Sequence, residues 1–260
     1  MIGQRSAAKV AQALVAPQHY RALVNMWRVY PRFADNLSRY LTGRGSYPLD
    51  VTVRTPTAPL TIRLSSYHDL LTVNEIFCRI DYPADASLRY VLDLGSNVGI
   101  SALYFLSRNA ETHCILYEPD PQNVQRLRHN LRGFEGRYSL VEAAVADRSG
   151  VVEFGVEESG RYGGIGVPTG RTITVQCTHV NDVLRHALAR FPHIDIMKID
   201  TEGVEVATVQ AIDSELLPKI NHIYLEANPA GPLHGEWFRN QQLGSVRRLT
   251  RRALQGLRQA

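Results

Sequence analysis

Val91-Leu92-Asp93-Leu94-Gly95-Ser96-Asn97-Val98-Gly99-Ile100-Ser101 reads as a short apolar strand that breaks into a glycine-rich turn and restarts as a helix. Downstream the same rhythm repeats. Residues 114–117 form a second apolar strand, and Asp120 then caps a helix with Pro121 in its first turn that stops at Gly133. Residues 139–145 predict a third strand, 181–190 a helix, 194–199 a buried strand, 204–212 a helix, and 223–226 a last clear strand. Residues 151–156 and 172–176 predict a paired β excursion around the loop 160–170. Strands alternating with helices of this length imply right-handed βαβ units and a mostly parallel sheet flanked by helices, an α/β fold. Upstream, apolar residues at three- and four-residue spacing predict a helix over 7–41. The alternation around 55–59 predicts a β-hairpin over 50–64, and 69–79 a lead-in helix.

In such sheets a ligand sits at the carboxyl ends of the strands, where the strand order reverses. The turn after Asp93 is that place. Its match to the dinucleotide pattern G-x-G-x-x-G is poor, because Asn97 stands where the second glycine would meet a pyrophosphate. Asp93 would repel phosphate, yet could hold an ammonium group or a ribose hydroxyl network. Those two features point away from a nicotinamide cofactor and towards S-adenosylmethionine, which carries a charged methionine end and no phosphate. Glu118 ends the second strand 25 residues later, where a carboxylate can accept both ribose hydroxyls. The plainer alternatives are a helix cap for Asp93 and a solvated strand end for Glu118.

Lys198-Ile199-Asp200-Thr201-Glu202 closes another strand. Lys198 and Asp200, two apart, project to one side of it. Charged groups at the end of an apolar run are costly unless paired or in use. They are either an ion pair that holds the loop, or a carboxylate (Asp200 or Glu202) acting on an acceptor hydroxyl with Lys198 fixing it. Glu226 and Asn228 end the next strand, and with Asp200 offer an oxygen-rich Mg²⁺ set as a less favoured reading. His234, just past that rim, is a weak candidate base, and His222 should lie at the opposite end. The glycine-rich segment 160–166 reads as either a hairpin loop or a flap.

Together the 91–101 stretch, Tyr-Glu118-Pro119-Asp120-Pro121-Gln-Asn123, Glu-Ala-Ala144-Val145-Ala-Asp147, and Met-Lys198-Ile-Asp200-Thr-Glu202-Gly203-Val-Glu205 resemble the FkbM family of S-adenosylmethionine-dependent methyltransferases over residues 50–228. The resemblance implies a class I, Rossmann-like methyltransferase fold and transfer of a methyl group to a hydroxyl of a sugar or secondary metabolite. It implies a cofactor site of Asp93, Gly95, Ser96, Asn97, Gly99, Ser101, Glu118, Pro119, Ala144, Val145 and Asp147, with the adenine near residues 144–147. Asp200, Glu202 and Lys198 would be catalytic, and no metal is assigned.

The 260 residues hold one large domain with appendages: a helical segment over 1–48, the hairpin and lead-in helix over 49–87, the methyltransferase core over 88–229, and a tail over 230–260. The tail shows at most one short strand near 245–249 and reads as helical and basic. A class I sheet normally closes with an antiparallel pair there, so the far edge departs from the pattern. No apolar run approaches the ~20 residues that span a bilayer, and 7–16 is interrupted by Lys9 and Gln12, making a poor signal peptide. Cys78, Cys114 and Cys177 are widely spaced, with no Cys-x-x-Cys pair, which fits a cytoplasmic location. The net charge of +4 hides an uneven distribution: +6 over 1–48, −8 over 49–236 and +6 over 237–260. The acidic middle suits a cationic donor. The expected partner is a small-molecule hydroxyl acceptor. Nucleic acid is not expected, because the fourth strand lacks an Asn/Asp-Pro-Pro-aromatic turn and the terminal arginines lack interleaved aromatics. The basic ends are candidates for contact with an anionic membrane surface, a glycolipid-linked acceptor or a partner subunit, and a homo-oligomer is a further arrangement to test. An oxidoreductase, a nucleic-acid methyltransferase and a non-catalytic scaffold are the competing functions.

Overall fold

The computed structural model describes residues 17–157 and 163–252. Two N-terminal helices, α1 (Pro17–Val29) and α2 (Phe33–Thr42), replace the single helix expected over 7–41. Pro31 forces the break, since a proline disfavours helical backbone at the residue before it. The first part of that expected helix, 7–16, lies outside the described residues. Strands β1 (Leu49–Val53) and β2 (Leu60–Leu64) form the expected hairpin, with Val51, Val53, Ile62 and Leu64 on the buried face. Helix α3 (Tyr67–Val73) starts at a capping box between Ser66 and Asp69. It runs into a π-helical turn, Asn74–Arg79, which α1 covers.

The main sheet has seven strands: β3 (Tyr90–Leu94), β4 (His113–Tyr117), β5 (Tyr138–Val141), β10 (Ile194–Ile199), β11 (Ile220–Leu225), β12 (Phe238–Leu243) and β13 (Val246–Arg251). Their order is β12-β13-β11-β10-β3-β4-β5; β13 is antiparallel to both neighbours, and the strands from β11 to β5 are parallel. This is the class I methyltransferase arrangement. The central strands are apolar on both faces because both are covered. Val91, Leu116 and Ile196 face α1–α3, α4 (Ile100–Leu106) and α5 (Pro121–Asn130), while Leu92, Ile115 and Met197 face α6 (Val180–Leu188) and α7 (Glu205–Gln210). The order reverses between β3 and β10, so the crevice at their carboxyl ends is the place for a ligand.

Three further expectations change. The strand expected over 139–145 divides: the Ala143 amide donates to the Val141 carbonyl at 3.0 Å, and the chain leaves the main sheet. β6 (Ala144–Ala146) then joins a second sheet, order β6-β9-β7-β8, with β7 (Gly150–Val156), β8 (Gly163–Ile165) and β9 (Arg171–His179). Within the expected loop 160–170, residues 163–165 are thus a strand. Finally, the expected helical tail over 230–260 is a β-hairpin through Arg251, joined by the two-residue turn Gly244-Ser245, with Gly244 at φ 63°. It completes the sheet. Residues 253–260 lie outside the described set. The hairpin escaped a period-2 reading because only Phe238 on β12, and Val246 and Leu249 on β13, are buried.

Candidate functional site

Strand β3 brings Asp93 to the middle of the sheet, fully buried, and Lys198 is its register partner on β10. The Lys198 Nζ lies 3.2 Å from Asp93 Oδ1 and 3.4 Å from Asp200 Oδ2, and donates to the Gly95 carbonyl at 2.8 Å. Ser101 donates to Asp93 Oδ2 at 2.6 Å, and the Ser96 hydroxyl to the Asp93 carbonyl at 3.0 Å. Burial raises the Asp93 pKa, while Lys198 and Ser101 pull it back. Burial alone would depress the Lys198 pKa, but Asp93 and Asp200 outweigh it and hold the ammonium above its ordinary value. The Lys198 ammonium therefore takes the place at Asp93 that the sequence reading gave to a ligand's ammonium. Asp93, Ser96, Gly99, Ser101 and Lys198 sit beneath the cleft and do not line it. Gly99 (φ 86°) starts α4 against Leu127, where an added Cβ would come 3.2 Å from the Leu127 Cγ.

Above this layer the glycine turn is held by backbone bonds. The amides of Gly95 and Ser96 both donate to the Tyr117 carbonyl at 3.0 Å. Gly95 has φ 78°, and a Cβ there would come within 1.8 Å of the Asp200 carbonyl, so only glycine lets the turns after β3 and β10 touch. Asn97, at φ 49°, donates its amide to Glu118 Oε2 at 2.7 Å, and the Asp120 amide donates to Glu118 Oε1 at 3.0 Å. Burial pushes the Glu118 carboxyl up to about 7, with those amides opposing.

The cleft is lined by Gly95, Asn97, Glu118, Pro119, Ala144 and Val145, which were expected, and by Asp200 and Glu202. Sequence reasoning missed Asp120, Asn123, Phe154 and the strand β8, all of which also line it. The Asp120-Pro121 signal marked a helix cap, which the Asp120 carboxylate does form by accepting from the Gln122 amide at 2.9 Å. Nothing in the local pattern marked β8, because its place depends on packing. A Cβ on Gly164 would come 2.4 Å from the Glu202 carbonyl. β8 is thus seated against the 201–203 loop. Asp147 does not reach the cleft; it follows β6 into the turn towards β7 and pairs with Arg148 at 3.2 Å.

Glu205, quoted in the motif but given no role, orders that loop. Its carboxylate accepts from the Thr201 amide at 3.0 Å and from the Gly203 amide at 3.0 and 3.1 Å. Next to Asp200, Glu226 accepts from the Tyr82 hydroxyl at 2.6 Å. Burial and then the Asp200 charge push the Glu226 carboxyl up to about 7. The Asn228 side-chain Oδ1 accepts from Arg247 at 3.4 Å, and neither Glu226 nor Asn228 lines the cleft. His234 bonds the Val209 carbonyl at 2.7 Å, and His222 lies at the amino end of β11 against Thr250. Among the described residues no group of His, Cys, Asp and Glu is placed to hold a metal ion.

The family model for the methyltransferase FkbM domain matches residues 93–246. The chain belongs to the FkbM methyltransferase family. The match begins at the buried Asp93 and ends at the first residue of β13. A 2-O-methyltransferase, NoeI, from Sinorhizobium fredii (strain NBRC 101917 / NGR234) is 29% identical over 52% of this chain, which spans 62% of that relative's length. Among solved structures, a methyltransferase FkbM from Methylobacillus flagellatus KT aligns at TM-score 0.38 and 14% identity, over 62% of this chain and 44% of that one. A putative caffeoyl-CoA O-methyltransferase from Staphylococcus aureus aligns at TM-score 0.41 and 10% identity, over 70% and 81%. The FkbM fold assignment rests on the strand order and the family match.

Proposed function

We propose that the chain transfers the methyl group of S-adenosylmethionine to a hydroxyl oxygen of a small-molecule acceptor, of the sugar or secondary-metabolite class. The observation that carries this reading is the charge of the cleft. Its lining includes the carboxylates of Glu118, Asp120, Asp200 and Glu202, and no Lys or Arg among the described residues. Such a lining fits a sulfonium cation and disfavours a pyrophosphate, which counts against a nicotinamide cofactor. The relative's name, a 2-O-methyltransferase, supports oxygen as the acceptor atom.

S-adenosylmethionine supplies an already activated methyl group, so the protein's task is chiefly placement. Glu118 accepts the ribose hydroxyls, its own geometry fixed by the amides of Asn97 and Asp120. Ala144 and Val145 offer a flat, small-residue wall for the adenine. Asp200 holds the acceptor hydroxyl and receives its proton as the C–O bond forms and the C–S bond breaks. Lys198 acts through Asp200, fixing that carboxylate from below. Glu202 borders the acceptor side on a left-handed turn, at φ 52°.

Calorimetry with S-adenosylmethionine and with NAD separates the two cofactor readings. S-adenosylmethionine should bind, and Glu118→Ala should abolish binding; NAD binding in its place overturns the proposal. Transfer of labelled methyl to a panel of monosaccharides then tests the acceptor class. Asp200→Asn should lower kcat by ~10²–10⁴-fold while S-adenosylmethionine affinity stays within about threefold. A larger kcat loss in Glu202→Gln would move the base to that residue.

A further inference from the structure

Four of the five large apolar side chains that stand exposed among the described residues lie on the two N-terminal helices: Leu23, Val24 and Trp27 on α1, and Leu41 on α2. Trp27 is 65% exposed. Residues 23, 24 and 27 share one helical face. The face of α1 that adjoins this stripe is already occupied. Met26 and Tyr30 are buried with Ile76, Phe77 and Cys78, and the Asn25 side chain donates to the Cys78 carbonyl at 2.8 Å. A helix apolar on two faces normally has both covered. Here the second face has no cover among the described residues.

The charge around that face distinguishes the occupant. Arg21 and Arg28 flank the stripe on α1, and Arg32 follows in the connection to α2. None of the three side chains makes an ion pair or hydrogen bond with a described residue. Several other surface arginines are spent on carboxylates: Arg63 on Asp50, Arg128 on Glu142, Arg185 on Asp213. At the other basic end, the Arg247, Arg251 and Arg252 side chains are bonded to the protein, whereas that of Arg239 on β12 bonds no described residue. Arg247 bonds Gln242 at 2.8 Å, Arg251 the Pro218 carbonyl at 2.9 Å and Arg252 the Gly235 carbonyl at 3.0 Å. Among the described residues, only the N-terminal helices combine an uncovered apolar stripe with unspent positive charge.

We infer that α1 docks on an anionic membrane surface, with Leu23, Val24 and Trp27 entering the headgroup boundary and Arg21, Arg28 and Arg32 meeting lipid phosphates. A Trp/Leu face beside arginines is the pattern of a helix lying in the interfacial plane. Two other occupants fit the charges poorly. A second copy of the same face would set three arginines against three arginines, with Asp35 the sole acid in residues 1–48 to offset them. The chain's own residues 1–16 carry Arg5 and Lys9 and no acid. This inference is independent of the cofactor reading, since α1 lies outside the family-matched segment.

The test uses the full chain with Trp237→Phe, which leaves Trp27 as its single tryptophan. Vesicles of phosphatidylcholine alone are compared with vesicles that also contain phosphatidylglycerol. Co-sedimentation and a blue shift of Trp27 emission are expected with the anionic vesicles only. Both should vanish in about 1 M salt, where the Debye length is ~3 Å. Arg21→Glu/Arg28→Glu should weaken partitioning at least about tenfold, at ~1 kcal/mol per arginine near the surface. In the parent chain, Trp27→Ser should weaken partitioning as well, with an unchanged unfolding midpoint, because the side chain is exposed. Equal partitioning to neutral vesicles, or none to either, overturns the inference. So does a lipid-free dimer that Trp27→Ser dissolves, which would make the face a self-association surface. Shielding of Trp27 from an aqueous quencher in the lipid-free monomer would also overturn it, by showing that the chain covers its own stripe.

Discussion

Lys198 Nζ stands 3.2 Å from Asp93 Oδ1, the two residues directly opposite each other on neighbouring parallel strands and both buried. Asp200 shares the same ammonium at 3.4 Å. One cation thus joins the strand that carries the glycine turn to the strand that carries the proposed acceptor carboxylate. Because the Lys198 ammonium also takes the Gly95 carbonyl, it fixes the turn from inside the sheet.

Removing that cation should be costly. Lys198→Met leaves Asp93 as a buried carboxylate without its counter-charge, and stability should fall by about 3–5 kcal/mol in denaturant unfolding. Asp93→Asn combined with Lys198→Met should recover part of the loss. If the double variant is as unstable as the sum of the two single ones, the pair is not coupled.

Glu118 is expected to govern cofactor affinity. Glu118→Gln replaces one acceptor oxygen by an amide donor that faces the Asn97 or Asp120 N–H, and it removes the charge. S-adenosylmethionine affinity should drop about 10–100-fold, the range for a charged hydrogen bond. Titration calorimetry checks this, and a change under threefold would remove Glu118 from the ribose site.

The same carboxylate sets a pH dependence. Its folded pKa, pushed up to about 7, lies above the ordinary 4.5. Between those values the folded state binds the extra proton, so Glu118's contribution to stability declines as pH rises from about 4.5 to 7. Cofactor binding runs the other way, because the ribose hydroxyls need the ionised acceptor. Affinity should therefore rise as pH passes through about 7, and Glu118→Gln should flatten that rise.

The terminal hairpin should behave as core. Phe238 is fully buried beside Leu249, which pairs with Ile223 of β11. Phe238→Ala should cost about 3–5 kcal/mol in unfolding experiments. An effect below 1 kcal/mol would mean that β12 and β13 contribute nothing to the folded sheet.

Gly164 should tolerate no side chain. Its Cβ would come 2.4 Å from the Glu202 carbonyl, so Gly164→Ala must push β8 or the 201–203 loop aside. A loss of about 1–3 kcal/mol is expected, together with lower methyl-transfer activity from the displaced loop. Wild-type kinetics in this variant would separate β8 from the acceptor side of the cleft.

The sequence alone determined the central α/β alternation, the ligand end of the sheet, and much of the cleft lining. The strand-turn-helix pattern at 91–101, the Asp120-Pro121 cap and the apolar run 194–199 are local signals, each sensed by the backbone within a few residues. That Lys198 and Asp200 share a side was equally legible, since a strand repeats every two residues. What only the tertiary structure decided depends on contacts across the chain. Lys198 and Asp93 are 105 residues apart, and nothing local told whether Asp93 meets a ligand or a lysine. The seat of Gly164 on the Glu202 carbonyl comes from packing between two sheets. β12 and β13 lack alternation because the hairpin closes the sheet, with β12 outermost and β13 between it and β11, and partners rather than periodicity hold the strands.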